Sequence, residues 1–124
     1  MKRLLKDEAL MLRTCDADGK SYGGFQWPKN GPVTCPDWDD SPNCGNGLHG
    51  LLWGTGDGSL LNWSKSALWL VVRIKKSQII DLNGKVKVPS GIVEFCGDFY
   101  QAVSIIQKYA PAGSAIVRGT ATAG

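Results

Sequence analysis

A chain of 124 residues fits one domain of common size and is long enough to bury a core without disulfide or metal staples. With 43% hydrophobic and 20% charged residues it is globular rather than disordered, and a net charge of +3 with a pI of about 8.7 falls short of a nucleic-acid-binding footprint. No apolar run is long enough to span a membrane, and Asp7 and Glu8 interrupt the basic N-terminus where a signal peptide needs an apolar stretch, so four cysteines are expected as reduced thiols or metal ligands in the cytoplasm.

In chain order, residues 8–14 (EALMLRT) read as a strand or a short helix. Residues 15–20 (CDADGK) are a turn with Asp-Gly at its tip, and residues 22–27 (YGGFQW) a strand with a glycine pair that marks a bulge or a close backbone approach. Residues 28–58 carry Pro28, Pro32, Pro36 and Pro42 and read as a long functional loop. Residues 68–74 (LWLVVRI) are an apolar run of buried central-strand type. Asn83-Gly84 lies between two β-favouring runs and predicts a type I′ hairpin over residues 78–88, because both turn positions need positive φ. Residues 91–96 (GIVEFC) form a further strand. Asp98 then caps a helix over residues 98–109, with Phe99, Ala102, Val103, Ile106 and Tyr109 on one side, ended by Pro111 and Gly113. Residues 114–118 return as a last strand. The fold class is therefore α+β: a single mixed or mainly antiparallel sheet with at least one packed helix. Residues 1–118 form one globular domain, and residues 119–124 (GTATAG), which hold no core-forming side chain, are a flexible tail or the start of a C-terminal repeat.

The block over residues 35–58 concentrates the residues of chemistry: two of the four cysteines, the sole histidine and six of sixteen glycines. Cys15, Cys35, Cys44 and His49 suit a Cys3His zinc site by ligand type. Their spacing does not, since eight residues separate Cys35 from Cys44, four separate Cys44 from His49, and no C-x2-C knuckle exists. Buried thiols are the favoured reading, and the domain is expected to fold without metal. Cys35 or Cys44 with His49 would make a nucleophile–base pair, oriented by Asp37, Asp39, Asp40 or Asp57. Gly54 to Gly58 (GTGDG) lacks both the P-loop ending and the dinucleotide fingerprint and reads as a turn. Trp69 belongs to the core. Trp38, set among aspartates, is a candidate recognition anchor together with Asp39, His49, Trp53 and Asp57.

Three resemblances attach to these motifs. The tail resembles one unit of the Thr-Ala-Gly repeats of some phage proteins and of ice-nucleation-type solenoids. Residues 44–50 (CGNGLHG) resemble a Cys-x-x-Gly-hydrophobic-His turn of small uncharacterised phage and prophage domains. The order of Arg13, the GLHGLLWG segment and Glu94 is similar to that of ADP-ribosyltransferases. That resemblance implies NAD as cofactor and a catalytic set of Arg13, His49 and Glu94, with Glu94 orienting a ribose hydroxyl. The Ser-Thr-Ser-type motif of that family is missing, and Ile92 stands where a paired glutamate would be.

The reading taken from all of this is a binding module of phage or mobile-element origin. It recognises a protein or small ligand through loops 35–63, needs no cofactor, and contacts neither membrane nor nucleic acid; inhibition of a host defence is one role open to it. The alternatives are an ADP-ribosyltransferase-like enzyme and a structural head domain of a repeat protein.

Overall fold

The computed structural model describes residues 1–117, and seven strands in it form one antiparallel sheet. The strands are β1 (Glu8–Cys15), β2 (Gly31–Thr34), β3 (Leu48–Leu52), β4 (Leu68–Lys75), β5 (Ile80–Asp81), β6 (Val86–Val88) and β7 (Ser90–Gly97), and a single α-helix, α1 (Phe99–Tyr109), follows. Their spatial order is β2-β7-β4-β1-β3-β6-β5. This is the α+β architecture expected from the sequence, with the hairpin and the packed helix where the local signals put them.

The centre of the sheet is β1 against β4, paired without interruption from Glu8↔Lys75 to Cys15↔Leu68. Both strands carry unbroken apolar runs, Ala9 to Leu12 and Leu68 to Val72, rather than apolar residues at alternate positions, because both faces are covered. Ala9, Met11, Cys15, Leu70, Val72 and Ile74 belong to one core cluster, closed by the loop residues Trp27, Cys35 and Trp38. Leu10, Leu12, Trp69 and Val71 belong to the second, where α1 contributes Ala102, Val103 and Ile106. Asp98 starts the helix by accepting a hydrogen bond from the Gln101 N–H at 2.8 Å. Ala110 ends it in extended conformation, as the residue before Pro111 must.

The hairpin forms as its turn residues dictate: Asn83 has φ 60°, Gly84 has φ 110°, and Ile80↔Lys87 and Asp81↔Val86 pair across it. Gln78 lies in a short 3-10 turn that precedes it. A bulge in β7 is the other irregularity that shapes the molecule. Val71 faces Phe95 while Val72 faces Val93, which leaves Glu94 as the extra residue.

Three segments depart from the sequence reading. Residues 22–24 form a 3-10 turn rather than a strand, since Gly23 and Gly24 both take φ 86°, and pairing is reduced to one bridge between Lys20 and Gln26. The long proline-rich loop is interrupted by β2 and β3, two short strands that gain stability from partners distant in sequence. The expected last strand is a single bridge of Ile116 to Thr55; Arg118 and the tail, residues 119–124, lie outside the described residues.

Candidate functional site

β3 pairs with β1 only at Met11↔Leu52 and Leu12↔Leu51, and beyond that point the two strands part. A cleft of about 700 Å³ opens beside the parting, walled by Arg13, Phe25, Trp27, Cys35–Asp37, Cys44–Leu51, Leu60, Leu61 and Lys85.

Arg13 bridges the gap. Its Nε and Nη2 donate to the Thr14 carbonyl at 3.0 and 2.7 Å, and its Nη1 donates to the His49 carbonyl at 3.0 Å. The guanidinium thus holds carbonyls that the β1–β3 ladder leaves unpaired. It lies 4.4 Å from the centroid of the Trp27 ring, a cation–π contact. Burial lowers its pKa to about 10, so it stays charged at neutral pH. The Trp27 indole is buried, and its Nε1–H finds no acceptor.

Cys44 and Lys85 stand at the exposed rim, with Lys85 Nζ 2.9 Å from Cys44 Sγ. That ammonium donates to the sulfur and stabilises the thiolate, so the Cys44 pKa falls below the ordinary thiol value. His49 accepts from the Gly45 N–H through Nε2 at 3.1 Å. Burial first, and the cations Lys85, Arg13 and Lys87 after it, hold its pKa at about 4. The imidazole is therefore neutral near pH 7. Behind the cleft, Lys87 is 1% exposed; its Nζ donates to the Gly45 carbonyl at 3.2 Å and lies 5.3 Å from the Trp38 ring centroid.

The residues singled out from sequence disperse around this frame. Trp38 is half-buried and packs on the core and on Lys87, as a cover rather than a free anchor. Asp39 and Asp57 are exposed, and each accepts its own loop's hydrogen bond, from the N–H of Ser41 and of Ser59. Trp53 sits at φ 55° and packs against both core clusters. Arg13 and His49 meet at the cleft. Glu94 does not, because the bulge sends its carboxylate to Arg73 Nε at 2.6 Å. The zinc alternative fares similarly. Cys15 is buried in β1 with its thiol pushed up to about 11 by burial, Cys35 donates to Asp37 Oδ1 at 3.2 Å, and only Cys44 is exposed. No group of three or more His, Cys, Asp or Glu side chains among the described residues is placed to hold a metal ion.

Lys85, Phe25 and Trp27 in the cleft wall, and Lys87 behind it, are the residues that sequence reasoning passed over. Lys87 in a Val-Lys-Val strand reads as solvent-facing. It is buried because the loop carrying Gly45 and Trp38 lies over it, a contact with no local signature.

A single antiparallel sheet, backed by one helix and parted at a basic cleft, places the molecule among small α+β domains. Within that class, the chain belongs to the family described as "Domain of unknown function (DUF7666)", whose model matches residues 9–107. It is similar to an ice nucleation protein of Xanthomonas campestris pv. translucens, 36% identical over 110 residues that make up 87% of this chain and 7% of the relative. An ice nucleation protein of Pseudomonas syringae is 37% identical over 102 residues, 81% of this chain and 9% of the relative. The ice nucleation protein InaU of Pantoea ananas is 34% identical over 103 residues, 82% of this chain and 10% of the relative. The chain thus spans a tenth or less of the length of these relatives. No solved structure matches it.

These relatives overturn the phage and prophage resemblance. With it fall the mobile-element binding module, the host-defence inhibitor and the head-domain alternative. They equally overturn the ADP-ribosyltransferase reading, which the separation of Glu94 from Arg13 and His49 also opposes. Among the described residues, no helix is long and apolar enough to cross a membrane.

Proposed function

We propose that this domain serves ice nucleation as an accessory unit of an ice-nucleation-type protein and is not itself the surface on which ice forms. The observation that carries this reading is the match of more than four-fifths of the chain to ice nucleation proteins. The geometry supports the second half of it. Ice is a periodic solid, so a templating surface must be broad, flat and regularly repeated. Here one sheet face is covered by α1 and the other by loops, and the edge strands β2 and β5 have four and two residues. Among the described residues, the large exposed apolar ones, Met1, Leu5, Leu60, Trp63, Ile92 and Tyr100, are scattered over several segments and form no array along a strand.

The test is droplet freezing of cells that carry the Pseudomonas syringae relative with its matching segment replaced by this chain. The exchanged protein should freeze droplets near the temperature of the parent, and this chain alone should nucleate no ice. Leu12→Asp, which puts a carboxylate into the helix-side core, should lower the freezing temperature of the exchanged protein. Unchanged freezing with Leu12→Asp, or nucleation by this chain alone, would overturn the reading.

A further inference from the structure

Two buried or half-buried cations meet the same problem here with opposite solutions. Arg73 is satisfied by two carboxylates, Glu8 at 2.7 Å and Glu94 at 2.6 Å. Arg13 has none: among the described residues both ion pairs belong to Arg73. Buried charge without a counter-charge is costly, and proteins place it where an ion is to be bound or a function requires it.

The hydrogen-bond inventory around the cleft is one-sided. A guanidinium has five N–H donors. Carbonyls take one from Nε, one from Nη1 and one from Nη2 of Arg13, which leaves one donor on each terminal nitrogen. The Trp27 Nε1–H is buried without an acceptor in the same wall. Lys85 adds an ammonium at the rim, where one of its three donors goes to Cys44 Sγ at 2.9 Å, and the Lys87 ammonium lies behind at the Gly45 carbonyl. The one carboxylate in the lining, Asp37, is already engaged by Asn46 Nδ2 at 2.9 Å and by the Cys35 thiol at 3.2 Å. His49, whose Nε2 accepts from Gly45, adds no positive charge. Asp37 keeps its negative charge, so the surplus of positive charge rests on Arg13 and Lys85, and the unused donors are those of Arg13, Lys85 and Trp27, between aromatic and aliphatic walls from Phe25, Trp27, Leu60 and Leu61.

We propose that this cleft binds a small anionic molecule through a carboxylate or phosphate group, with the Arg13 guanidinium as its charge partner and Lys85 drawing it to the rim. Two terminal N–H donors on a guanidinium match two oxygens of either group, and the guanidinium carbon of Arg13 lies over the Trp27 ring at 4.4 Å from its centroid. The cleft's volume of about 700 Å³ suits a small molecule rather than a chain segment. The inference rests on the charge inventory of the cleft and stands apart from the ice-nucleation reading.

The experiment is a two-dimensional amide NMR titration of the folded domain with sodium phosphate in one arm and sodium benzoate in the other, each against a matched sodium chloride control. The Arg13 Nε–H, the Trp27 Nε1–H and the backbone amides of Gly45 to His49 should shift and saturate in at least one arm, and the responding arm tells phosphate from carboxylate. Arg13→Gln should weaken the affinity by about tenfold or more, the usual loss for a charge-assisted hydrogen bond. Lys85→Ala should weaken it less, with a difference that fades as salt is raised. If Arg13→Gln does not fold, the wild-type titration with Lys85→Ala decides. Shifts that rise linearly without saturation, that scatter over the surface, or that persist unchanged in folded Arg13→Gln would overturn the proposal.

Discussion

Cys44 is set apart from the other three thiols by its neighbour. Burial raises Cys15, Cys35 and Cys96, whereas the Lys85 ammonium lowers Cys44. At pH 7, alkylation by iodoacetamide should therefore modify Cys44 first, and Lys85→Ala should slow that reaction several-fold. Site-resolved mass spectrometry over a time course checks both. Equal rates at all four cysteines would remove the thiolate argument. His49 controls a second measurable property. Its folded-state pKa of about 4 lies below the ordinary 6.5, so between those values the unfolded chain binds a proton that the folded chain refuses. Stability from this group is complete above pH 6.5 and is lost as the pH falls toward 4. Since His49 is partly exposed, the loss amounts to about 2 kcal/mol rather than the full value of the shift. Urea unfolding at a series of pH values should show this decline in the wild type and a flatter profile in His49→Gln.

At the scale of elements, the hairpin between β5 and β6 ties two distant loops together. The Gly84 carbonyl accepts from the Asp57 N–H at 2.9 Å, and a side chain at Gly56, where φ is 125°, would run into that same carbonyl. Gly84→Val forces a branched residue into φ 110° and should cost about 1 kcal/mol or more, read from the shift of the urea midpoint. Gly56→Ala should also destabilise, because the clash is with backbone that cannot swing away. What sequence made legible at this scale was local. The Asn-Gly turn, the continuous apolar run of β4 and the 3.6-residue pattern of α1 each carry their own signal within about ten residues. β2 and β3 escaped notice because their signal lies in their partners. Gly31-Pro32-Val33-Thr34 is a strand only because β7 runs beside it. Gly50 in β3 exists because Met11 and the Leu12 carbonyl of β1 occupy the space of its missing side chain. The cleft was half legible for the same reason. Cys35, Cys44 and His49 cluster in sequence, but the contacts that define the chemistry, Arg13 on Trp27 and Lys85 on Cys44, bring together segments far apart in the chain.

At the scale of the whole molecule, Arg73 is the point where four parts of the chain are joined. It projects from the central strand β4, and its guanidinium binds Glu8 at the start of β1, Glu94 in the bulge of β7, and the carbonyls of Lys2 and Arg3 in the N-terminal segment. The three charged side chains are 7%, 12% and 20% exposed, so water replaces little of what is lost when one is removed. The bulge has its reason here: without the extra residue in β7, the side chain at that position would not reach Arg73 on the face it shares with the helix-side core. Arg73→Met keeps much of the bulk and removes the charge, leaving two carboxylates poorly hydrated and facing each other. The expected cost is about 3 kcal/mol or more, the range for a broken buried ion pair. Arg73→Met combined with Glu94→Gln should recover part of it, because one uncompensated charge goes with the substitution. Urea unfolding at pH 7 of the wild type, the two single variants and the double variant measures the coupling. Hydrogen exchange at Leu4 and Leu5 should rise in Arg73→Met if the guanidinium is what holds the N-terminal segment to the sheet. A loss below about 1 kcal/mol, with exchange unchanged, would mean that packing alone fixes that segment and that the triad contributes no more than a surface ion pair.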